Sequence, residues 1–200
     1  MNKLHEIFSV PLYETNFPVS QTDLDFVKSQ EYERYAYSYM SEGNGNVLAH
    51  DEMKKVRDFI TTQVEYYFYN ICGMDYDVKP ELTSSWANIH IKNDWTMRHS
   101  HPNSIISGVW YLSTSDDTGS LLVHRENGLF GNQIDFNRRE NNYLNSEPLY
   151  FRPEVGTIYL FPSTLKHSVD ANLDSNERIS VAFNYMMRGV VNSYNVKMKL

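Results

Sequence analysis

A series of short apolar segments between residues 82 and 187 restricts the fold of this 200-residue chain more than any other feature. The segments are rich in Val, Ile, Trp and Tyr, which are favoured in β-strands. Strands are predicted at 82–92, 104–112, 120–125, 149–152, 157–161 and 179–187. Turn signals separate them, among them Asp-Asp-Thr-Gly at 116–119. Many short, antiparallel-looking strands predict a jelly roll.

A helical pattern precedes the strands. Between residues 51 and 71, apolar side chains recur at spacings of three and four, and Gly73 provides a stop signal. These positions are Met53, Val56, Ile60, Val64, Tyr67 and Ile71. Thr22 can cap a shorter helix, residues 7–17 favour a strand, and 31–49 favour a loop. We therefore expect one α+β, mainly β domain over 1–200, with a strand and supporting helices (1–80) before a jelly-roll core (82–187).

The composition argues against several classes of protein. A single cysteine, Cys72, allows neither an internal disulfide framework nor a thiolate zinc site. The net charge of −7 disfavours a nucleic-acid partner. No apolar run approaches the roughly 18–20 residues that span a bilayer, and the amino terminus lacks the apolar segment of a signal peptide. We expect a soluble cytoplasmic protein without a membrane partner; homodimer formation is left open.

Three histidines form a candidate metal site. His99 and His101 stand two positions apart, just ahead of an apolar run, so that in an extended chain both side chains point to one face. His167 follows another predicted strand and a turn that begins at Pro162, where side chains converge on the mouth of a barrel. Imidazole suits Fe, Zn, Cu and Ni. The local pattern therefore predicts a metal site and leaves the metal open.

A buried arginine, Arg178, is predicted downstream of His167, with ten residues between them. On the last predicted strand, Arg178 shares one face with Ser180, Ala182 and Asn184. A guanidinium on a small, polar strand face inside a barrel requires a carboxylate, which it binds through two parallel hydrogen bonds, and a neighbouring hydroxyl can add a third. The alternative is a surface salt bridge.

These residues resemble a known family. His167, ten residues, and Arg178-x-Ser180, with His99-x-His101-Pro-x-Ser-x-x-Ser-Gly-x-x-Tyr111 upstream, are similar to iron(II)- and 2-oxoglutarate-dependent oxygenases, in a branch common in bacteria and phages. The resemblance implies a double-stranded β-helix of the jelly-roll type, and a host's cytoplasm as the location if a phage encodes the chain. It also implies iron(II) held by the three histidines, 2-oxoglutarate gripped by Arg178 and Ser180, and no catalytic residue beyond the metal ligands. The implied reaction hydroxylates a small molecule, peptide or protein and releases succinate and CO2.

Secondary positions follow from the same resemblance. Tyr111 and Asn184 are expected to contact 2-oxoglutarate, while Trp86, Asn88 and Asn103 are expected on the substrate side. One position departs from the family pattern, because the usual His-x-Asp or His-x-Glu is replaced by His99-x-His101. Either three histidines hold the metal, or His101 is the first ligand and another residue completes the site. The candidates for that residue are Asn103, Asp116, Asp117 and Glu126.

Two other functions stay open from the sequence. The first is a cupin-like metal-binding protein or isomerase that does not use 2-oxoglutarate, since jelly rolls host many activities. The second is an interaction domain without catalysis, whose binding surface would be the long Asn-rich interval 125–148. Connections longer than about 12–15 residues are usually functional or mobile. We expect residues 126–148 to form a lid or recognition loop that becomes ordered when substrate binds.

Overall fold

Two antiparallel sheets form the framework of the protein. The computed structural model describes residues 2–5, 7, 9–41, 46–126, 137–192 and 197–199. The described strands are β1 (Tyr13–Asn16), β2 (Tyr32–Tyr35), β3 (Ser38–Ser41), β4 (Val78–His90), β5 (Thr96–His99), β6 (Ile106–Ser113), β7 (Leu121–Val123), β8 (Leu149–Phe151), β9 (Thr157–Pro162), β10 (His167–Val169), β11 (Arg178–Asn192) and β12 (Lys197–Lys199).

The larger sheet has the order β1-β9-β6-β11-β4-β3-β2, with β12 paired to β11. The smaller sheet has the order β5-β10-β7-β8. Sequence neighbours such as β4 and β5 therefore lie in different sheets, as expected for a jelly roll. The prediction of an α+β, mainly β protein with a jelly-roll core is confirmed.

Helices cover the outer face of the larger sheet. They are α1 (Gln21–Lys28) and α2 (Lys54–Tyr66), with 3-10 turns at Val47–Ala49 and Asp51–Met53 and a π-helical turn at Tyr67–Ile71. Val56, Ile60 and Val64 of α2 are fully buried against the sheet, as the helical spacing predicts. The backbone turns at Gly73, where φ is +68°, which is the left-handed stop expected there. None of the helices in the described part of the chain is long and apolar enough to span a bilayer.

Alternate residues of the central strands serve two different compartments. On β11, Ile179, Val181 and Phe183 pack against the helices. The residues between them, Arg178, Ser180, Ala182 and Asn184, line a cavity between the two sheets. The same alternation places Trp86, Asn88 and His90 of β4 in the cavity and Ala87 and Ile89 in the helix-side core. This period of two is the consequence of the strand pleat, and it separates the functional face from the packing face.

Several local predictions are wrong. Residues 31–49 were expected to be a loop, but β2 and β3, within 32–41, form an antiparallel hairpin whose second strand joins β4. The hairpin shows no clear alternation, because three of the four residues of β2 are exposed and β3, which places Ser38 and Met40 at the cavity, has only four residues. The cap of α1 is Ser20 rather than Thr22; the Ser20 hydroxyl accepts a hydrogen bond from the backbone N–H of Asp23 at 3.2 Å. Of the strand expected over 7–17, the residues that the structure describes form only β1.

Candidate active site

The three candidate histidines come together at the edge of the smaller sheet. His99 ends β5, His167 begins β10, and the two are directly paired in the antiparallel ladder. His101 follows two residues after His99, with its backbone N–H bonded to the carbonyl of Ser163. One ring nitrogen from each of the three lies within 4.8 Å of the others. We refer to His99, His101 and His167 as the histidine cluster.

The outer nitrogens of the cluster all face oxygen acceptors. Nδ1 of His99 lies 2.8 Å from the carbonyl oxygen of Met97. Nδ1 of His167 lies 2.8 Å from that of Leu165. Nδ1 of His101 lies 2.6 Å from the amide oxygen of Asn184. Each Nδ1 must therefore carry the proton and donate, which leaves every Nε2 of the neutral rings as a lone pair directed at the centre of the cluster.

Two of these inner lone pairs approach each other closely. Nε2 of His99 and Nε2 of His101 are 3.2 Å apart. Two imidazole nitrogens bound at about 2.1 Å to one metal are about 3.0–3.4 Å apart for bond angles between 90° and tetrahedral. Burial lowers the pKa of His167 to about 3, with a further contribution from neighbouring His99. Burial also lowers the pKa of His101. The donor set therefore suits a metal cation.

A polar network that the sequence did not reveal supports His101. The amide oxygen of Asn184 accepts from His101 and also from the Ser107 hydroxyl at 2.7 Å. The amide nitrogen of Asn184 donates to the Ser84 hydroxyl at 3.1 Å. Ser163 lies 2.8 Å from Ser107. With both ends of its amide bonded, Asn184 orients His101, although the sequence placed it next to 2-oxoglutarate. The inward position of Asn184, six residues beyond Arg178 on the same strand face, was predictable from the alternation, but its partners were not.

Arg178 is buried in the cavity, with 1% of its surface exposed. Its Nη1 donates to the backbone carbonyls of Thr118 and Asp170, the latter at 3.2 Å. Its Nη2 is buried and has no hydrogen-bond partner among the described residues. Burial lowers the pKa of Arg178 to about 10, so that the guanidinium stays charged at neutral pH. Such an orphaned cationic donor fits a carboxylate ligand.

The turn at 116–119 forms the wall behind Arg178. A Cβ at Gly119 would lie 2.7 Å from the carbonyl oxygen of Ala171 and 3.0 Å from Nη1 of Arg178. Gly119 also has a φ of +81°, a conformation that other L-residues rarely adopt. The turn signal in the sequence thus marks a position that has to be glycine for the guanidinium to fit.

Ser180 and Tyr111 lie beside Arg178. They are paired across β11 and β6, so their side chains point to the same face. Both are buried, with 5% and 2% of their surface exposed, and both line the cavity. Burial raises the pKa of Tyr111 to about 12, which keeps its phenol protonated as a hydrogen-bond donor. The two hydroxyls and the guanidinium thus converge on one polar corner.

The cavity itself has a volume of about 370 Å³. Trp86 and Asn88, expected on the substrate side, line it, and the Trp86 ring lies 5.5 Å from that of His101. Asn103 does not; it is exposed, with a left-handed φ of 59°, in the turn before β6. None of the described Asp and Glu residues lines the cavity, and Asp116, Asp117 and Glu126 are exposed. The geometry of the described residues therefore favours the three-histidine alternative.

Part of the interval proposed as a lid can be described. Residues 127–136 lie outside the described part of the chain, so the lid stays a prediction. At its ends, the Arg125 guanidinium donates to the carbonyls of Leu144 and Tyr143 at 2.9 and 2.7 Å. The Glu147 carboxylate accepts from the backbone N–H of Arg125 at 2.6 Å. Arg125 and Glu147 thus tie the two ends of this interval together.

Comparison with known proteins agrees with this geometry. The family model described as "Putative 2OG-Fe(II) oxygenase" matches residues 84–184. Among curated proteins, none matches the sequence.

Three solved structures illustrate the shared fold. An oxidoreductase of the 2OG-Fe(II) oxygenase family from Burkholderia pseudomallei is 16% identical, with a TM-score of 0.57 over 80% of this chain and 74% of that one. SnoN, an alpha ketoglutarate dependent epimerase from nogalamycin biosynthesis, is 12% identical, with a TM-score of 0.62 over 94% and 83%. A prolyl-4-hydroxylase from Pseudomonas putida is 13% identical, with a TM-score of 0.56 over 90% and 95%.

The residues matched by the family model include the cavity-lining positions of β4 and β11, which run from Trp86 to His90 and from Arg178 to Asn184. A second SnoN structure contains Fe3+, alpha ketoglutarate and nogalamycin RO. The convergent lone pairs of the histidine cluster fit a metal ion, and the orphaned donor of Arg178 fits a dicarboxylic 2-oxo acid. The chain belongs to the 2OG-Fe(II) oxygenases, with iron(II) as its metal cofactor and 2-oxoglutarate as its co-substrate.

Proposed function

We propose that this protein is a hydroxylase that inserts oxygen into a C–H bond of a small molecule or peptide and releases succinate and CO2. The observation that carries the proposal is the position of Arg178. Its unpaired Nη2 lies in the same cavity as the three inward-facing Nε2 atoms of the histidine cluster. One cavity can therefore hold both ends of 2-oxoglutarate, with the keto acid on the metal and the distal carboxylate on the arginine.

The metal ligands in this proposal are His99, His101 and His167. Their Nδ1–H groups donate to two backbone carbonyls and to Asn184, which fixes the ring orientation and the tautomer. Three neutral ligands add no charge to iron(II), whereas a facial triad with a carboxylate would add one negative charge. In either case three protein ligands would leave iron(II) able to bind the keto acid and dioxygen.

The distal carboxylate in this proposal is bound by Arg178 and Ser180. Nη1 of Arg178 is already held by the carbonyls of Thr118 and Asp170. The side chain therefore loses little further conformational entropy when the ligand binds. The phenol of Tyr111, protonated because burial raises its pKa to about 12, is a further donor on the same side. Asn184 acts through His101 rather than on the co-substrate.

When bound, iron(II) with 2-oxoglutarate and dioxygen supplies the oxidant for a C–H bond. The protein's own contribution is to hold the reactants and to exclude water. Phe161, Val109 and Leu121 line the cavity next to the polar corner and keep it dry. Trp86, whose ring lies 5.5 Å from that of His101, and Asn88, the register partner of Ser180, also line the cavity and are the proposed substrate contacts. Asn103 is a substrate contact only if the substrate extends out of the cavity.

The unpaired guanidinium and the histidine cluster argue against the two alternatives that the sequence left open. A cupin-like isomerase without 2-oxoglutarate gives no reason for a buried, unpaired guanidinium next to the histidine cluster. An interaction domain without catalysis gives no reason for three convergent imidazole lone pairs. We also infer that residues 1–200 act as one domain, since the core between α2 and the larger sheet draws on residues from Val27 to Met187.

Succinate release tests the proposal. The protein is loaded with iron(II) under anaerobic conditions and mixed with 2-oxoglutarate, oxygen and a panel of amino acids, peptides and small metabolites. We expect succinate in amounts equal to product, and one atom of 18O from labelled O2 in the product. His167→Ala, which lacks one cluster imidazole, is the matched control. Turnover of a panel member without succinate would favour the isomerase, and product without 18O would exclude hydroxylation.

A further inference from the structure

Two buried side-chain atoms in the described part of the chain have no hydrogen-bond partner: Nη2 of Arg178 and Nδ1 of His90. Buried polar atoms in folded proteins are almost always bonded, so each exception calls for a physical reason. The proposed function accounts for the first atom. It does not account for the second, although His90 lines the same cavity.

His90 and Arg178 are directly opposed in the larger sheet. His90 is the last residue of β4, Arg178 is the first of β11, and they are register partners in the antiparallel ladder. Directly opposed residues point to the same face with Cβ atoms about 4.5–5.5 Å apart. The two unpartnered nitrogens therefore face one compartment from adjacent strands. Only 3% of the His90 surface is exposed, so bulk water does not reach it freely.

The other ring nitrogen of His90 is already bonded. Nε2 lies 2.9 Å from the hydroxyl of Thr96, the first residue of β5. Burial, with a contribution from neighbouring Arg178, lowers the pKa of His90 to about 3, so the ring is neutral and carries one proton. A hydroxyl can donate to Nε2, and the ring proton then sits on Nδ1. In that tautomer the cavity presents two donors, one from Arg178 and one from His90.

Two donors on opposed residues match one anion with two acceptor oxygens. A carboxylate accepts one hydrogen bond on each oxygen, and both buried nitrogens are then satisfied. A neutral ligand with a single acceptor would leave one of them unpaired. We propose that His90 donates from Nδ1 to the distal carboxylate of 2-oxoglutarate, next to Arg178, and that Thr96 positions His90 by fixing its tautomer. The inference rests on the proposed function, in which Arg178 binds that carboxylate.

The competing explanation is that His90 is only a structural bridge between the two sheets. In that case the proton sits on Nε2 and is donated to Thr96, Nδ1 is a bare lone pair, and the ring has no effect on any ligand. The two explanations differ in which nitrogen of His90 carries the proton, and in whether substitution of His90 weakens the binding of 2-oxoglutarate. Both differences can be measured.

Binding calorimetry without oxygen, with a redox-inert divalent metal in place of iron, compares two ligands. 2-Oxoglutarate carries the distal carboxylate, and 2-oxobutyrate is a 2-oxo acid without it. The variants are His90→Asn, His90→Gln and His90→Phe. The amide nitrogen of Asn reaches the place of Nδ1, whereas that of Gln reaches the place of Nε2, so these two variants form a matched pair.

We expect His90→Gln and His90→Phe to bind 2-oxoglutarate about 10- to 100-fold more weakly than wild type, as for the loss of one hydrogen bond to a charged group. His90→Asn should stay close to wild type. 2-Oxobutyrate should bind equally to wild type and all variants, which also shows that the metal site of each variant is intact. Wild-type affinity for 2-oxoglutarate in His90→Gln, or an equal loss for both ligands, overturns the proposal.

The tautomer provides a readout that needs no variant. In 15N NMR spectra of the wild-type protein, Nδ1 of His90 should show the shift of a protonated nitrogen and Nε2 that of a bare one. A proton on Nε2 overturns the proposal. Failure of the proposed function looks different: wild type then shows no preference for 2-oxoglutarate over 2-oxobutyrate, whatever the tautomer of His90. That result overturns both proposals.

Discussion

Asn184 and His101 are joined by a hydrogen bond of 2.6 Å, from the imidazole Nδ1 to the amide oxygen. Asn184 lies on the same strand as Arg178, and both side chains point into the cavity. One strand therefore carries the orphaned guanidinium at its start and supports the histidine cluster six residues later. The two parts of the site are fixed relative to each other by the backbone of β11, without an intervening loop.

The histidine cluster should bind one transition metal per chain. His99→Ala and His167→Ala each remove one of three convergent nitrogens, and we expect both variants to lose metal after dialysis. His50→Ala is the control, because His50 is exposed and its ring contacts Phe26 far from the cluster. Metal content by mass spectrometry is the measurement. Stoichiometric metal in His167→Ala would contradict the assignment.

Asn184 should control metal affinity through His101. Asn184→Ala leaves Nδ1 of His101 without its acceptor, and loss of such an outer partner typically weakens metal binding about 10- to 100-fold. Ser84→Ala should have a smaller effect in the same direction, because it removes only the hydroxyl that accepts from the Asn184 amide nitrogen. Competition with a fluorescent chelator measures both. Equal metal affinity in wild type and Asn184→Ala would show that the hydrogen bond between His101 and Asn184 does not contribute to metal binding.

Arg178 should decide the affinity for 2-oxoglutarate. Arg178→Ala leaves the distal carboxylate buried and unpaired, a loss of roughly 2–5 kcal/mol, or about 30- to several-thousand-fold in affinity. Arg178→Lys should recover part of this, since it restores the charge and not the planar fork. Metal content should be unchanged in both variants. Calorimetry without oxygen gives the affinities, and equal binding by wild type and Arg178→Ala would remove the arginine from the site.

His90 should make the metal-free protein sensitive to acid. Its pKa is about 3 in the folded protein and near 6.5 when unfolded, so the unfolded state binds the extra proton and stability falls as the pH drops below 6.5. At pH 5 the loss from this one group is about 2 kcal/mol relative to pH 7.5. His90→Asn has no such proton to bind. Urea unfolding at both pH values should show a smaller acid loss in the variant, and equal losses would count against a buried neutral His90.

Gly108 should tolerate no side chain. A Cβ there would lie 2.5 Å from the Phe183 ring and 2.6 Å from the carbonyl oxygen of Tyr159. Overpacking of this kind typically costs roughly 1–3 kcal/mol, and we expect Gly108→Ala to lose at least that much in urea unfolding. Adding Phe183→Leu should recover part of the loss, because the ring can be removed and the backbone carbonyl cannot. Additive effects of the two substitutions would show that Phe183 is not the obstacle.

The parts of the fold that sequence could predict are those with a buried face. The helix from Met53 to Tyr67 is set by apolar residues at regular spacing, and the two faces of β4 and β11 are set by strict alternation. In the β2–β3 hairpin, three of the four residues of β2 are exposed and β3 has only four residues, so its sequence carries no such pattern. The strands β5 and β10 are short, with four and three residues, and each holds a histidine where an apolar residue would have signalled a strand.

The candidate site was predictable where the spacing of residues indicates one kind of ligand. Two histidines at alternate positions and a distant arginine on a small-residue strand face indicate a metal and a carboxylate, and the structure brings these residues to one cavity. The role of Asn184 was not predictable, because its partners Ser84 and His101 come from other strands. His90 was not predictable either. Its significance rests on an unpaired atom, which only the three-dimensional arrangement reveals.

The alternation along β4 and β11 bears on how such a protein can change over evolution. Trp86 and Asn88 contact the cavity, while Ala87 between them is fully buried on the helix side. A substitution at a cavity position alters what the protein recognises and leaves the packing beneath α2 untouched. Selection can therefore act on substrate choice and on stability almost separately, one residue apart on the same strand. New specificities can arise at Trp86 and Asn88 while the scaffold that holds Arg178 and the histidine cluster stays the same.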